Sequence, residues 1–257
     1  MKFKFGPAGL GGVKEAVNNL EHYHKLGLTA CEIAFTYGVY IHKKEDAEEI
    51  EKAAKKLGIK LSIHAPYWIN LNSKEKKKTQ ESMKRILDCC ETGELLGANL
   101  VVFHPGYYGG MDKEQTFQNI KKAILKVKQE IKKHKWKINI AAETTGKINV
   151  FGSVDETERL VHETGCSFCI DFAHILAREK KIDFKYILSK LKSKELHIHF
   201  SGIEYGEKGE RRHIKTNKEK LKDLLLNLKK YAESREIVII NESPYPIEDS
   251  VLGLKLV

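Results

Sequence analysis

Short apolar runs alternate with longer stretches of mixed polarity along nearly the whole chain of 257 residues. The short runs are rich in Ile, Val, Phe and Ala and lack helical spacing, so they predict buried strands. They fall near 2–5, 31–35, 59–64, 99–104, 137–143, 167–171, 195–200 and 236–242. Between them, "VKEAVNNLEHYHKLG" and "KEDAEEIEKAAKKLG" place apolar residues at helical spacing, and each stops at a glycine, Gly27 or Gly58. Longer helices are predicted over 77–98 and 116–134. Ser153 precedes Glu156 by three, the spacing of a capping box, and opens a helix that runs to Gly165. The stretches 184–193 and 218–234 complete the series. Strand–helix alternation implies a parallel sheet. Eight such units in roughly 250 residues predict an α/β fold, a (β/α)8 TIM barrel, as one domain over 1–257. A doubly wound sheet is the alternative. The segment 201–215, "SGIEYGEKGERRHIK", has no helical period and predicts a lid or binding loop.

In a barrel, the side chains that do chemistry stand at the carboxyl ends of the strands. His64, His104, Glu143, Asp171, His199 and Glu242 lie at or just before the ends of the third to eighth predicted strands. His174 follows Asp171 by three, in the loop beyond the sixth strand, and His213 lies within 201–215. A lone strand-end histidine is ordinarily structural, and His22, His24, His42, His134 and His162 are read as structural or surface residues. A buried carboxylate is rarer and needs a partner. Three carboxylates and at least three histidines on one rim would repel or be desolvated without a cation. Their mixture suits zinc, manganese or iron. The ligands outnumber what one tetrahedral ion uses, so two or three ions sharing a bridging carboxylate are expected. In "ELHIHF", His197 and His199 share a strand face. His199 is read as the ligand, and the deeper His197 as core or support for it.

Charge and cysteine content narrow the setting. No run of 18 apolar residues is present, so no membrane span is expected, and "MKFKFGPAGL" is too short in its apolar part for a signal peptide. Five cysteines, two of them the adjacent Cys89 and Cys90, fit reduced thiols and a cytoplasmic location. Cys166 and Cys169 form a lone Cys-x-x-Cys without a second pair, which reads as a packed strand. The net charge of +10 fits either a lysine-rich, ion-paired surface or attraction to a polyanion. No long exposed apolar stripe is evident, so a monomer is expected.

Taken together, several of these segments resemble endonuclease IV, the zinc-dependent apurinic/apyrimidinic endonuclease family of DNA base-excision repair. They are "HAPYWINL" at 64–71, "FHPG" at 103–106, Glu143 in "AAETTG", "CIDFAH" at 169–174, His199, "RRH" at 211–213 and "NESP" at 241–244. The first is the most specific, and the set spans nearly the whole chain in order. The resemblance implies a TIM barrel with a trinuclear zinc cluster. It implies one metal at His64, His104 and a bridging Glu143, and a second at Glu143, Asp171, His199 and Glu242. Glu143 and Glu242 would be carboxylates of the catalytic centre. A third metal would use His174 and His213. The family completes that third site with the Asp of an Asp-x-His motif, where this chain has Arg211. Two tightly held metals are therefore expected. The third is expected to be weak, absent, or filled only when substrate phosphate or a neighbouring carboxylate such as Glu210 joins in.

Further implications concern the substrate. The resemblance implies damaged double-stranded DNA as partner and cleavage 5′ to an abasic site, leaving a 3′-hydroxyl and a 5′-deoxyribose phosphate. Tyr67 and Trp68 stand where the family enters the duplex, and Arg211 or Arg212 would bind phosphate. The alternative is a xylose-isomerase-like sugar isomerase or epimerase. Such an enzyme needs a single divalent metal, for which Glu143, Asp171, His199 and Glu242 would suffice.

Overall fold

A computed structural model describes residues 2–257. Eight parallel strands form the barrel: β1 (Lys2–Pro7), β2 (Ala30–Ala34), β3 (Lys60–His64), β4 (Leu100–Phe103), β5 (Asn139–Glu143), β6 (Ser167–Asp171), β7 (Glu195–Phe200) and β10 (Glu236–Asn241). Their hydrogen-bonded order is β1-β10-β7-β6-β5-β4-β3-β2. The ring is brought to closure by a parallel bridge between Ala8 and Glu32 and by Gly9 N donating to Glu32 O at 2.7 Å. Each strand agrees with the sequence expectation within about two residues, because β-branched runs buried on both faces carry little ambiguity.

Helices cover the outside: α1 (Ala16–Lys25), α2 (Lys44–Leu57), α3 (Lys76–Leu95), α4 (Lys113–His134), α5 (Val154–Thr164), α6 (Phe172–Glu179), α7 (Phe184–Ser189), α8 (Lys218–Tyr231) and α9 (Pro246–Lys255). The predicted stops hold for physical reasons. Gly58 and Gly165 end α2 and α5 in the left-handed conformation, at φ 68° and 65°. Ser153 and Glu156 form the capping box at the start of α5. The large apolar core lies between strands and helices, from Phe5, Ile33, Ile63 and Phe103 to Leu224 and Leu228.

Two expectations are corrected. The segment 201–215 is not irregular: it is an antiparallel hairpin, β8 (Gly202–Gly206) and β9 (Gly209–Ile214), standing above the end of β7. Residue His174 is not in a loop but in the first turn of α6, which Asp171 caps by accepting from His174 N at 2.7 Å.

The barrel interior is layered with a period of two along each strand. At the strand starts, Lys4 pairs with Glu236 at 2.9 Å, and Lys60 pairs with Glu195. Small and apolar groups such as Ala30, Leu100, Val102, Ala141, Cys169 and Val238 fill the barrel above them. The polar rim comes last. Closure depends on Gly6, where an added Cβ would stand 1.8 Å from Ala30 O, well inside contact distance. Gly6→Ala is therefore expected to lower stability by at least the ~1–3 kcal/mol of core overpacking, read from urea melts. A loss below about 0.5 kcal/mol, the range of neutral surface changes, would show that β1 and β2 do not need this close approach.

Candidate metal centre

The ends of β3, β5, β6 and β7, with the residues just beyond β4 and β10, bring His64, His104, Glu143, Asp171, His199 and Glu242 to one rim. Glu143 is fully buried at its centre, and its two oxygens face different partners. Oε2 lies 3.0 Å from His64 Nε2 and 3.0 Å from His104 Nε2. Oε1 lies 3.2 Å from His199 Nδ1 and 3.3 Å from His174 Nδ1. Glu242 Oε1 lies 3.4 Å from His199 Nδ1. Four ligands at zinc distances of ~2.0–2.1 Å in a tetrahedron stand about 3.3 Å apart, so the spacings of His64, His104, His199 and Glu242 match those of ligand atoms around shared ions, whereas His174 Nδ1, 2.9 Å from Thr144 O, carries a proton.

The hydrogen-bond inventory points the same way. Ala65 O lies 2.8 Å from His64 Nδ1 and can only accept, so His64 turns the lone pair of Nε2 towards Glu143. Asp171 Oδ2 is buried and has no hydrogen-bond partner. Acceptors facing acceptors inside a buried cluster need a cation between them. The residues present thus fit one or more divalent ions. Three groups of ligand atoms each lie within 4.8 Å of one another: His64–His104–Glu143, Glu143–Asp171–His199–Glu242 and Asp171–His174–His213.

Without an ion, protons serve instead. Burial disfavours charge on His64, but the hydrogen bond and charge of Glu143 outweigh it and raise its pKa to about 9. Burial opposes charge on His174 too, yet Asp171 and Glu143 lift its pKa well above the usual imidazole range. Burial also opposes ionisation of Glu143, and the neighbouring His104 and His199 overcome it, holding this carboxyl well below its ordinary value.

One residue of this centre was not expected. Glu32, fully buried on β2, places Oε2 2.9 Å from His197 Nε2 and 2.7 Å from Ser62 Oγ, while Oε1 lies 2.9 Å from His199 Nε2. The two histidines of "ELHIHF" therefore converge on one carboxylate. His197 supports Glu32 from below, and Glu32 faces the ring nitrogen of His199 that points away from the rim. A single Glu inside the apolar run "CEIAF" is the signal that could have found it.

The sequence-predicted residues of the hairpin separate. His213 Nε2 reaches His174 Nε2 at 3.2 Å. Arg211 and Arg212 do not enter the centre; both are exposed and paired with Glu204, Arg212 at 2.7 Å. The carboxylate that approaches the third group is Glu210, with Oε2 3.5 Å from His174 Nε2. Cys166 and Cys169 are buried free thiols in β6 and at its edge, as expected of a packed strand, and the remaining cysteines are likewise buried and free. His22, His24, His42, His134 and His162 are exposed, away from the rim. No helix among the described residues is long and apolar enough to cross a membrane.

A cavity of about 240 Å³ opens over the centre, lined by His64, Tyr67, His104, Lys147, His174 and Glu242 among others. Tyr67 and Tyr107 line it, and Tyr37, Trp68 and Tyr245 are further exposed aromatic side chains on the loops that follow β2, β3 and β10. The rings of Tyr37 and Trp68 lie 5.8 Å apart.

An eight-stranded parallel barrel with a histidine–carboxylate rim defines a class, and comparison with known proteins agrees with it. The sequence pattern of the xylose isomerase-like TIM barrel family matches residues 20–244, and the chain belongs to that family. An uncharacterised protein of Methanocaldococcus jannaschii, MJ0133, is 37% identical over 98% of this chain and 95% of its own length. A probable endonuclease 4 of Thermoplasma volcanium is 32% identical over 48% of this chain and 43% of its own length, so that alignment spans less than half of either protein. In fold, endonuclease IV from Thermus thermophilus superposes with a TM-score of 0.73 at 22% identity, covering 100% of this chain and 97% of that one. A D-psicose 3-epimerase does so with a TM-score of 0.69 at 14% identity, covering 100% and 96%. The chain is thus a member of the xylose isomerase-like TIM barrel family and, over part of its length, is similar to endonuclease 4.

Proposed function

We propose that this protein is a metal-dependent endonuclease that cuts the DNA phosphodiester 5′ to abasic sites. The observation that carries the reading is Glu143, whose Oε2 faces His64 and His104 while its Oε1 faces His199. A single-ion sugar isomerase needs one ligand set and leaves His64, His104, His174 and His213 without a purpose. When bound, divalent ions would supply Lewis acidity at the scissile phosphate and lower the pKa of an attacking water. His64, His104 and Glu143 would hold one ion, and Glu143, Asp171, His199 and Glu242 a second. Zinc suits this mixture of imidazole and carboxylate, and manganese or iron are the other candidates.

The protein's own residues would do the rest. The aromatic mouth offers stacking surfaces to an opened duplex, and an abasic nucleotide costs little to flip because its base stacking is already lost. Lys147 at the cavity wall and the net charge of +10 attract the phosphate backbone. Arg211 and Arg212, exposed on the hairpin, are placed to meet phosphates outside the cavity. The test is a nicking assay on a duplex with one tetrahydrofuran abasic analogue, with the product checked for a polymerase-extendable 3′-hydroxyl. No nicking by metal-loaded protein that interconverts ketohexose epimers would overturn the reading. The second reading, an epimerase, is favoured by one observation: Glu143, Asp171, His199 and Glu242 alone form a complete single-ion set.

Trp68 is 51% exposed and Tyr67 56%, too open for side chains that only pack the rim. Trp68→Ala is expected to weaken binding to abasic duplex more than to intact duplex, by the ~1–3 kcal/mol of one aromatic stacking contact. Fluorescence anisotropy with both duplexes measures it. Equal losses on the two would assign Trp68 to general packing.

A further inference from the structure

We propose that Lys147, held over the cavity by the buried guanidinium of Arg178, is the residue that binds the phosphate group of the substrate. This deepens the endonuclease reading, on which it rests, by naming the side chain that meets the substrate's charge. Among the described residues, Lys147 is the one Lys or Arg that lines the cavity above the centre. The neighbouring cations are engaged elsewhere. Arg211 and Arg212 pair with Glu204, and Lys180 donates to Ala177 O and Gly206 O. The carboxylates that share the cavity, Glu210 and Glu242, face His174, His213 and His199. Lys147 is exposed and has no ion pair among the described residues.

Its backbone is fixed while its side chain is free. Lys147 opens the tight turn 147–150, in which Val150 N donates to Lys147 O at 3.2 Å. Antiparallel bridges tie the turn on both sides, Lys147 to Gly209 of the hairpin and Val150 to Tyr107 after β4. Gly209, at φ 91°, permits the first, since an added Cβ would stand 2.1 Å from Gly146 O. Arg178 Nη1 donates to Lys147 O at 2.6 Å and to Val150 O at 2.9 Å, and Nη2 to the Tyr108 hydroxyl at 3.3 Å. The Arg178 side chain is 8% exposed, with Glu156 3.8 Å away. A guanidinium buried this deeply is rare, and its donors go to the loop that carries Lys147. His174 and Arg178 stand four apart on one face of α6, so the helix that brings His174 to the rim also carries the anchor of Lys147.

A free cation in this place calls for an anion. Divalent ions on the rim and an ammonium on the wall repel one another across a cavity of about 240 Å³ unless negative charge lies between them. A neutral sugar supplies none. A phosphate ester supplies a full charge, and one of its oxygens accepts from the ammonium while another faces the ions. Lysine suits the task, because its compact charge and three donors on a flexible stem need no fixed fork geometry. The ester comes either from a DNA backbone or from a sugar phosphate, and the two sources are separable by experiment.

Calorimetric titration of zinc-loaded protein with 2-deoxyribose 5-phosphate reads the contact without turnover, and circular dichroism confirms folding. Wild type is expected to bind this ester more tightly than 2-deoxyribose. Lys147→Gln is expected to lose about tenfold for the ester, the order of one charged hydrogen bond, and nothing for the neutral sugar. Lys147→Arg should regain most of that loss. Arg178→Gln should lose as much as Lys147→Gln, and the double variant no more than either. Additive losses overturn the part given to Arg178, and if Arg178→Gln does not fold, the Lys147 variants decide alone. Equal affinity of wild type for ester and sugar, or unchanged affinity in Lys147→Gln, overturns the proposal. On a tetrahydrofuran duplex, Lys147→Gln is expected to raise KM about tenfold with kcat nearly unchanged. The slope of log kcat/KM against log salt should become shallower by ~0.9, the share of one phosphate. Those results place the ester in DNA, and an unchanged KM and slope in a protein that nicks overturn the proposal as well. A protein that binds the ester through Lys147 but does not nick overturns the endonuclease reading alone, and epimerisation of a ketose phosphate then identifies the source.

Discussion

Glu143→Gln is expected to abolish nicking of an abasic duplex while the barrel stays folded. Glu143 belongs to two of the ligand groups at once, through different oxygens. Glutamine keeps the shape, but one of the two oxygens becomes an amide nitrogen that cannot coordinate a cation. One ligand group then loses its carboxylate while the other keeps an oxygen. Losing an outer partner of a metal ligand costs ~10–100-fold in affinity or activity, so losing the shared ligand should cost more than about 100-fold. The barrel does not depend on this carboxylate for packing, and circular dichroism should be unchanged. Activity within a few-fold of wild type would remove Glu143 from its bridging place.

The strands and the site were legible for the same reason. Each barrel strand is an apolar run, and a His, Glu or Asp at its end stands out because burial of such a group needs a partner. What was not legible depends on departures from simple periodicity. The hairpin at 202–214 has partly exposed faces, so "GIEYGEKGERRHI" shows no clean alternation of apolar and polar residues. Its bulge is invisible in spacing alone: counting back from His213 puts Arg211 at the site, whereas one unpaired residue puts Glu210 there. The helix α6 begins immediately at the end of β6, with Asp171 serving as both strand end and cap, so no gap in the pattern announces it. The C-terminal helix α9 starts at Pro246, just after a "NESP" whose residues speak for chemistry more than for structure.

Glu32 escapes a reading of strand ends because it sits one layer below the rim. Its removal carries the second large expected effect. The carboxylate is fully buried between His197, His199 and Ser62, and burial alone would keep it neutral. The charges of His199 and His197 and their hydrogen bonds overcome that and hold its pKa well below the usual carboxylate value. Glu32→Leu leaves His197 and the Nε2 of His199 buried without their carboxylate, which should cost ~3–5 kcal/mol, as breaking one half of a buried pair does. Glu32→Gln separates support from structure. The amide can still bond Ser62 and His197, so unfolding in urea should change little. It cannot attract the far nitrogen of His199 as a carboxylate does, so His199 becomes a weaker and less fixed ligand. Zinc affinity, measured by chelator competition, should fall ~10–100-fold. Full zinc affinity in Glu32→Gln, together with a large loss of stability in Glu32→Leu, would reduce Glu32 to a packing element and leave the orientation of His199 to Glu143 and Glu242 alone.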